Sequence, residues 1–400
     1  MNKQLFILQL FLLIASPIGT TSQSNISSDD VSLTIYTYDS LLADPGYQFD
    51  RAFEAYANLP NNSVNVVFLP DASSILTKAN AEKDSPIADV LIGIDNVLVN
   101  QIRELDLLTP YQPSNSQNLN QELVSGLASD YLLTPYDFGV ISLWHLNNSF
   151  TNSINANEFQ LNDILSPDFQ NQLIIQNPQL SSPGLGFLLS TIALFGDEEI
   201  TSLDSNNEWN NFWRELSTST TITSSWGDAI ELLYTEEANK SIMVSYTTSP
   251  AYGACLYDDT STSALLPTIN SEKYGWQQIE GLGIVKNSPN IDLAKLFVDW
   301  FISDELQSQI YLNQWMYPAN ENVVMPDCYN QIIPYNNIKP LNNQISSDLL
   351  SENLDNWLQQ WELAWVEGVT DTSNLNTNNW YHVLSSFILI MIIRLNKRFK

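Results

Sequence analysis

Histidine and cysteine are almost missing from this chain: of 400 residues, two are His and two are Cys. His145 adjoins an Asn-Asn-Ser triplet and His382 lies close to the last residue, so neither suits the base of a nucleophile–base pair. With Cys255 and Cys328 the only cysteines, no Cys/His cluster has zinc spacing. No acidic run follows a calcium-loop pattern, and no Gly-Lys-Ser/Thr cradle for phosphate occurs. Gly184-Leu185-Gly186 lacks the third glycine and the downstream acidic partner of a dinucleotide fingerprint. Basic residues are scarce too: Lys+Arg 15 against Asp+Glu 45 gives a net charge of −30, which argues against a nucleic-acid partner. Carboxylates are so common that pairing any two as catalytic acid and base would be arbitrary. These absences remove most enzyme templates and leave binding as the better reading.

What is present begins with a leader. Lys3, the apolar run Leu5 to Ala15 and small residues around Gly19 to Ser22 read as a secretory signal over 1–22. No Cys follows it, which argues against a bacterial lipoprotein anchor. Sequons at Asn25, Asn61, Asn147 and Asn239 are compatible with a glycosylated secreted protein. The two cysteines stand either as one disulfide of an oxidising compartment or as two buried thiols. At the other end, Val383 to Ile393 is apolar apart from Ser385 and Ser386, and Arg394, Lys397, Arg398 and Lys400 follow. That run is shorter than the roughly 20 residues of a spanning helix. Its basic flank fits a cytoplasmic stop, so a C-terminal membrane attachment is expected.

Four hundred residues suffice for one large or two medium domains. Val31 to Tyr38 and Val64 to Leu69 alternate as strands. Ala88 to Ile94 is nearly all apolar, as in a parallel strand covered on both faces. Helical spacing separates them, with Asp71 opening one helix and Asp95-Asn96 expected to cap another. Val140 to Trp144 reads as a strand crossing to a second lobe, and Gly281 to Val285 as one returning. The stripes Leu293, Leu296, Phe297, Trp300, Phe301 and Leu350, Leu354, Trp357, Leu358, Trp361, Trp365 are core faces of helices. The class is therefore α/β.

The densest stretch is Ser245-Tyr246-Thr247-Thr248-Ser249-Pro250-Ala251-Tyr252. A buried strand ends there, and Ser249-Pro250 reads as an N-cap followed by a first-turn proline. Ser182 before Pro183, and Asp71, repeat the pattern of a polar helix start after a strand. Tyr38, Trp226, Tyr246, Tyr252 and Trp315 occupy comparable loop positions, the last in a loop, Asn313 to Pro318, expected to expose large aromatics. Helix N-termini attract anions, whereas aromatic faces and carboxylates attract organic cations. A flat, positively charged ligand, with or without a phosphate, would satisfy both sets.

Six segments in order resemble the thiamine-binding periplasmic proteins of bacterial ABC transporters: TYDS at Thr37, ADVLIGIDN at Ala88, PYDFG at Pro135, SSPGLG at Ser181, SYTTSPAY at Ser245 and WMYP at Trp315. The resemblance covers about Val31 to Gly368. It implies a two-lobed type II periplasmic-binding-protein fold with a ligand cleft between the lobes. Residues 31–135 and 281–368 would form lobe 1, 136–280 lobe 2, and 369–400 a linker and hydrophobic tail. The ligand it implies is thiamine, thiamine phosphate or thiamine diphosphate, with no cofactor and no metal. Tyr38, Asp39, Asp71, Ala72, Ser181, Ser182, Trp226 and the run Tyr246, Thr247, Thr248, Ser249 would line the site. Tyr38 and Tyr252 would sandwich a ring, with Trp315 closing one side. The partner implied is a membrane transporter, and a secreted or extracytoplasmic monomer is expected. Two departures stand out: Ala43-Asp44-Pro45 replaces an Ala-Asp-Trp, and Ala72 replaces a glycine. Two alternatives compete: a thiaminase-like enzyme using Cys255, and a binder of another small cation or oxyanion.

Overall fold

A computed structural model of the chain describes residues 32–146, 155–196, 207–235 and 238–370. The leader, the sequons at Asn25 and Asn147, and the tail with His382 lie outside the described residues. In the first third, strands β1 (Leu33–Tyr38), β2 (Val64–Leu69), β3 (Val90–Asp95) and the short β4 (Leu108–Thr109) alternate with helices α1 (Phe49–Tyr56), α2 (Ala72–Ala81), α3 (Val99–Glu104) and α4 (Gln121–Leu127). The long β5 (Thr134–Leu146) follows. Then come β6 (Leu173–Gln176), α5 (Ser182–Phe195), α6 (Glu208–Leu216), β7 (Thr221–Thr223), α7 (Trp226–Leu233), β8 (Ile242–Tyr246) and α8 (Pro250–Tyr257). Strands β9 (Thr262–Leu265), β10 (Thr268–Ile269), β11 (Glu272–Gly275) and β12 (Gln277–Val285) precede α9 (Ile291–Phe301), α10 (Asp304–Asn313), β13 (Tyr317–Pro318), β14 (Ile338–Pro340) and α11 (Ser347–Thr370).

The sheet runs β2-β1-β3-β12-β5-β8-β6-β7, with β4 on β12 and β9 and β13 on β5. β1 pairs in parallel with β2 and β3, and β6 pairs in parallel with β7 and β8. β5 joins the two sets, because Thr134 to Val140 pair with β12 and Ile141 to His145 pair with β8. The sequence pattern therefore found the crossing strand but only part of its 13 residues. In both parallel sets the strands' carboxyl ends deliver Tyr38, Tyr246 and the starts of α2, α5 and α7 to one region, the usual place for a ligand in an open α/β sheet.

Each set has its own core. On one side Phe53 packs edge-on against Phe297, with ring centroids 4.9 Å apart, and Trp300 and Phe301 join them. On the other, Trp209, Trp213, Trp357, Trp361 and Trp365 are buried in one cluster with Leu188 and Val244. Here the expected boundaries need correction. Helix α11 packs on α6 of the second set, through Trp213 against Trp361 and a buried Asn210–Gln360 hydrogen bond of 2.9 Å. Residues 347–368 thus sit with the second lobe, since the apolar stripe of α11 is complementary to the tryptophans of α6. Gly368 permits this close approach: a Cβ there would lie 2.0 Å from the Arg214 carbonyl oxygen. Asp95-Asn96 also differs from expectation. α3 starts after Leu98, and Asp95 instead accepts from the Val97 and Leu98 amides. Among the described residues, no helix is long and apolar enough to cross a membrane.

Cys255 of α8 is bonded to Cys328, 73 residues away, in a short helical turn over Asp327–Gln331. That settles the open choice in favour of the disulfide and leaves no free thiol among the cysteines. It also overturns the enzyme alternative as stated, since a bonded Cys255 offers no thiolate nucleophile. Closing a loop of this length reduces the entropy of the unfolded chain by about 4 kcal/mol at room temperature. Cys328→Ser is therefore expected to lower the denaturant-derived unfolding free energy by several kcal/mol, with reduction of the native protein giving a matching loss. An unchanged midpoint in both would contradict the assignment.

Candidate functional site

A cleft of about 400 Å³ opens between the two sets of strands. Of the thirteen residues expected at the site, Tyr38, Asp39, Asp71, Ala72, Ser181, Ser182, Trp226, Tyr246, Ser249, Tyr252 and Trp315 line it. Thr247 and Thr248 do not; both are fully buried behind the wall, with the Thr248 hydroxyl toward Met316. Tyr317, in the loop expected to expose aromatics, is buried and stacked on Phe138 at 5.2 Å, so Trp315 alone of that loop's aromatics faces the cleft.

The floor is acidic. Glu280, on β12, accepts from the hydroxyls of Tyr38 and Tyr136, each at 2.5 Å, and from Gln278 Nε2 at 2.7 Å. Gln314 Nε2 donates to the Tyr38 hydroxyl at 2.6 Å. Asp137 lies opposite Glu280 across the β5–β12 ladder and is fully buried, with no hydrogen-bond partner on either carboxyl oxygen. Burial, and then the charge of Glu280, hold the Asp137 carboxyl well above the ordinary range. Burial likewise pushes Glu280 up to about 7 against the donors that favour its charged form. Tyr38 reaches this position because Gly93 leaves room for its ring: φ at Gly93 is +97°, and a Cβ there would meet the ring at 2.3 Å.

A second acidic group bridges the cleft. Asp71 caps its own helix α2 by accepting from the Ser73 amide at 3.0 Å, and its other oxygen accepts from the Ser182 amide of α5 at 3.2 Å. Burial raises its carboxyl to about 7. Burial raises the Asp95 carboxyl, with the Ser182 side chain and the Val97 and Leu98 amides acting against that rise. Ser181, the residue before α5, gives that helix no side-chain cap, and its hydroxyl is buried and unpartnered.

The aromatic wall is set by hydroxyls. Trp226 Nε1 donates to Ser245 Oγ at 2.9 Å, and Ser245 pairs with Ser249 at 2.7 Å. Ser249 is therefore not the side-chain cap its position before Pro250 suggested. Its backbone is already helical, and its oxygen accepts from the Tyr246 amide at 3.3 Å. Tyr252 meets Trp315 edge-on at 5.1 Å, while Trp315 Nε1 donates to the Asp44 carbonyl at 2.8 Å; burial, and then the neighbouring Tyr257 and Asp44, raise the Tyr252 hydroxyl. Pro45 does not line the cleft, and Trp144 and Tyr234 supply aromatic surface instead. The sequence reading missed Asp44, Trp144, Glu231, Tyr234, Glu280 and Gln314. Each was inseparable from many similar residues until the fold placed it. No Lys, Arg or His among the described residues lines the cleft. Among the described residues, no group of His, Cys, Asp and Glu could hold a metal ion.

Residues 39–308 match the family model described as bacterial extracellular solute-binding protein. A thiamine-binding periplasmic protein of Escherichia coli (strain K12) is 27% identical over 336 residues, spanning 83% of this chain and 93% of the relative. A solved periplasmic thiamin binding protein superposes with a TM-score of 0.69 at 26% identity, covering 84% of this chain and 96% of the other. A ferric binding protein from Campylobacter jejuni shares the fold, with a TM-score of 0.63 at 18% identity over 83% of this chain and 99% of that one.

The raised carboxyls carry a sign that can be measured. Asp71 and Glu280 rise from 3.8 and 4.5 to about 7, so across that window the folded chain holds protons that the unfolded chain has released. Their contribution to stability is therefore greatest below the unfolded values and declines as pH rises toward about 7. Thermal melts of the ligand-free protein should show this decline from about pH 4 to 7, flattened in Glu280→Gln. A slope unchanged in that variant would contradict the placement of the group.

Proposed function

Because the chain belongs to the bacterial extracellular solute-binding protein family, we propose that it binds a thiamine compound outside the cytoplasm and hands it, as a monomer, to a membrane transporter. The observation that carries this reading is a cleft walled by aromatic rings and floored by buried carboxylates, with no cationic side chain among the described residues facing it. Thiamine joins a flat aminopyrimidine to a permanently positive thiazolium ring. Tyr38, Tyr252, Trp226 and Trp315 offer faces and edges to both rings, and each cation–π contact adds roughly 0.5 to 2 kcal/mol once desolvated. Asp71 and Glu280 line the same cleft, where they would serve as counter-charge to the positive ring. The names of the E. coli relative and of the solved thiamin binding protein support the same ligand.

The reading assigns no bond-making step to the chain. Binding is pictured as closure of the two strand sets on the ligand, with Asp71–Ser182 and Trp315–Tyr252 as contacts made across the cleft. The buried network Trp226–Ser245–Ser249 orients one wall before the ligand arrives. Preorganisation of that kind raises affinity by reducing what must be ordered on binding.

Titration calorimetry with thiamine is expected to give saturable one-to-one binding. Trp226→Ala and Tyr252→Ala should each weaken it by about tenfold or more, the effect of losing a buried aromatic anchor. Absence of heat for thiamine and for both of its phosphates would overturn the proposal. Displacement of thiamine by another organic cation of similar shape would point to that cation instead.

A further inference from the structure

The two strand sets are joined by more than the passage of the chain. The backbone crosses between them along β5, on the return into β12, and again before α11, where Leu341 and Ile345 already pack in the tryptophan-rich core. The Cys255–Cys328 bond is a further covalent link. Cys255 lies in α8, which follows β8 of the second set. Cys328 lies in the turn Asp327–Gln331, where the neighbouring Tyr329 donates its hydroxyl to the Tyr311 carbonyl of α10 at 2.8 Å. The end of α10 is tied to the loop after β1 of the first set. There the Gly46 amide donates to Asn313 Oδ1 at 3.1 Å and the Leu42 amide to Gln314 Oε1 at 2.7 Å. The disulfide therefore runs from one set to the other.

Neither cysteine belongs to a core; both are half-buried. In α8 only Pro250 and Ala251 are buried, so the bond is a main anchor of the far end of that helix. Cys255 follows Tyr252 by three residues, less than one helical turn, and Tyr311 precedes Trp315 by four. The disulfide is thus pinned beside the edge-on pair Tyr252–Trp315, one of the contacts across the cleft. A disulfide lets its Cα atoms stand about 4.4 to 6.8 Å apart, and here they are 5.1 Å apart. At this point the sets can separate by no more than about 2 Å. The contact from Ser182 N–H to Asp71, at 3.2 Å, is a single hydrogen bond, gone beyond about 3.5 Å.

We infer that the disulfide is a clasp on one side of the cleft: it keeps Tyr252 against Trp315 with or without ligand, and the sets open at Asp71 and Ser182 instead. The inference rests on the function proposed above for the motion itself, closure on a small molecule. The ligand then enters past the starts of α2 and α5 toward a fixed aromatic corner, rather than between two free walls. With one side already held, less has to be ordered on binding. Cutting the clasp adds an opening motion that the intact chain lacks, and its effect falls chiefly on release.

The test compares the double variant Cys255→Ser/Cys328→Ser with the unaltered chain, by small-angle X-ray scattering and by stopped-flow release of thiamine. Without ligand the variant should have the larger radius of gyration, and the two radii should converge once thiamine is bound. Thiamine should leave the variant about tenfold faster. A folded variant that is merely less stable, with radius and release rate unchanged, would overturn the inference and leave the bond a plain staple. Should the variant not fold, hydrogen exchange of the unaltered protein decides. On adding thiamine, amides at the start of α5 should gain protection, while those of Gly253 to Tyr257 in α8 should be equally protected in both states. Equal gains at the two places would overturn the clasp. If thiamine fails to bind at all, the proposed function falls, and scattering of the ligand-free proteins still judges the clasp by itself.

Discussion

Everything at the cleft depends on one unbalanced interaction: a carboxylate, Glu280, held inside the protein by phenols and an amide rather than by a cation. Removing a charged carboxylate from water is costly, and hydrogen bonds from Tyr38, Tyr136 and Gln278 offset only part of that cost. Asp137 directly across the ladder makes the position worse, since neither of its oxygens is hydrogen-bonded. A core selected for stability alone would not keep such a pair. Both lie at the crossing of the strands that join the two sets, and Glu280 lines the cleft, where a buried, perturbed carboxyl marks a candidate site for a positive partner. The thiazolium ring of thiamine is the partner we propose.

The scaffold makes this arrangement sustainable. β5 is shared by both strand sets, so Trp144, which lines the cleft, and Tyr136 and Asp137, buried beside Glu280, come from a single continuous strand. Rigid cores stand on either side, phenylalanine-rich around Phe53 and Phe297 and tryptophan-rich around Trp213 and Trp361. The Cys255–Cys328 bond fixes α8, whose first turn carries Tyr252, to the chain segment that follows Trp315. Two of the cleft's aromatic faces are thereby tied to neighbouring parts of the fold before any ligand binds.

Much of this was legible in the residues. Alternation of β-branched strands with amphipathic helices fixed the α/β class, and hydroxyl-rich helix starts beside aromatics pointed to Trp226, Tyr246 and Tyr252. What escaped has a common physical cause. Glu280 is one acidic residue among 45, and only pairing between β12 and β5 sets it beside Asp137 and the hydroxyls of Tyr38 and Tyr136. Asp71 reads locally as the cap of its own helix, which it is, but its second bond, to Ser182, spans 111 residues. Ser249 failed as a cap for a local reason: its hydroxyl turns back to Ser245, four residues upstream at the end of β8, rather than forward to the helix amides. The tryptophans of α11 were rightly assigned to a core, yet no periodicity could say which core.

The central claim, that titrating carboxylates of the cleft are the counter-charge for the ligand, is tested most directly by proton linkage. Calorimetric binding of thiamine near pH 7, repeated in buffers of different ionisation enthalpy, reads the protons exchanged per ligand bound. Asp71 and Glu280, both raised to about 7, should lose protons when a cation arrives, so a net release is predicted, reduced in Glu280→Gln. Binding with no proton exchange in either protein, or with uptake, would contradict the account.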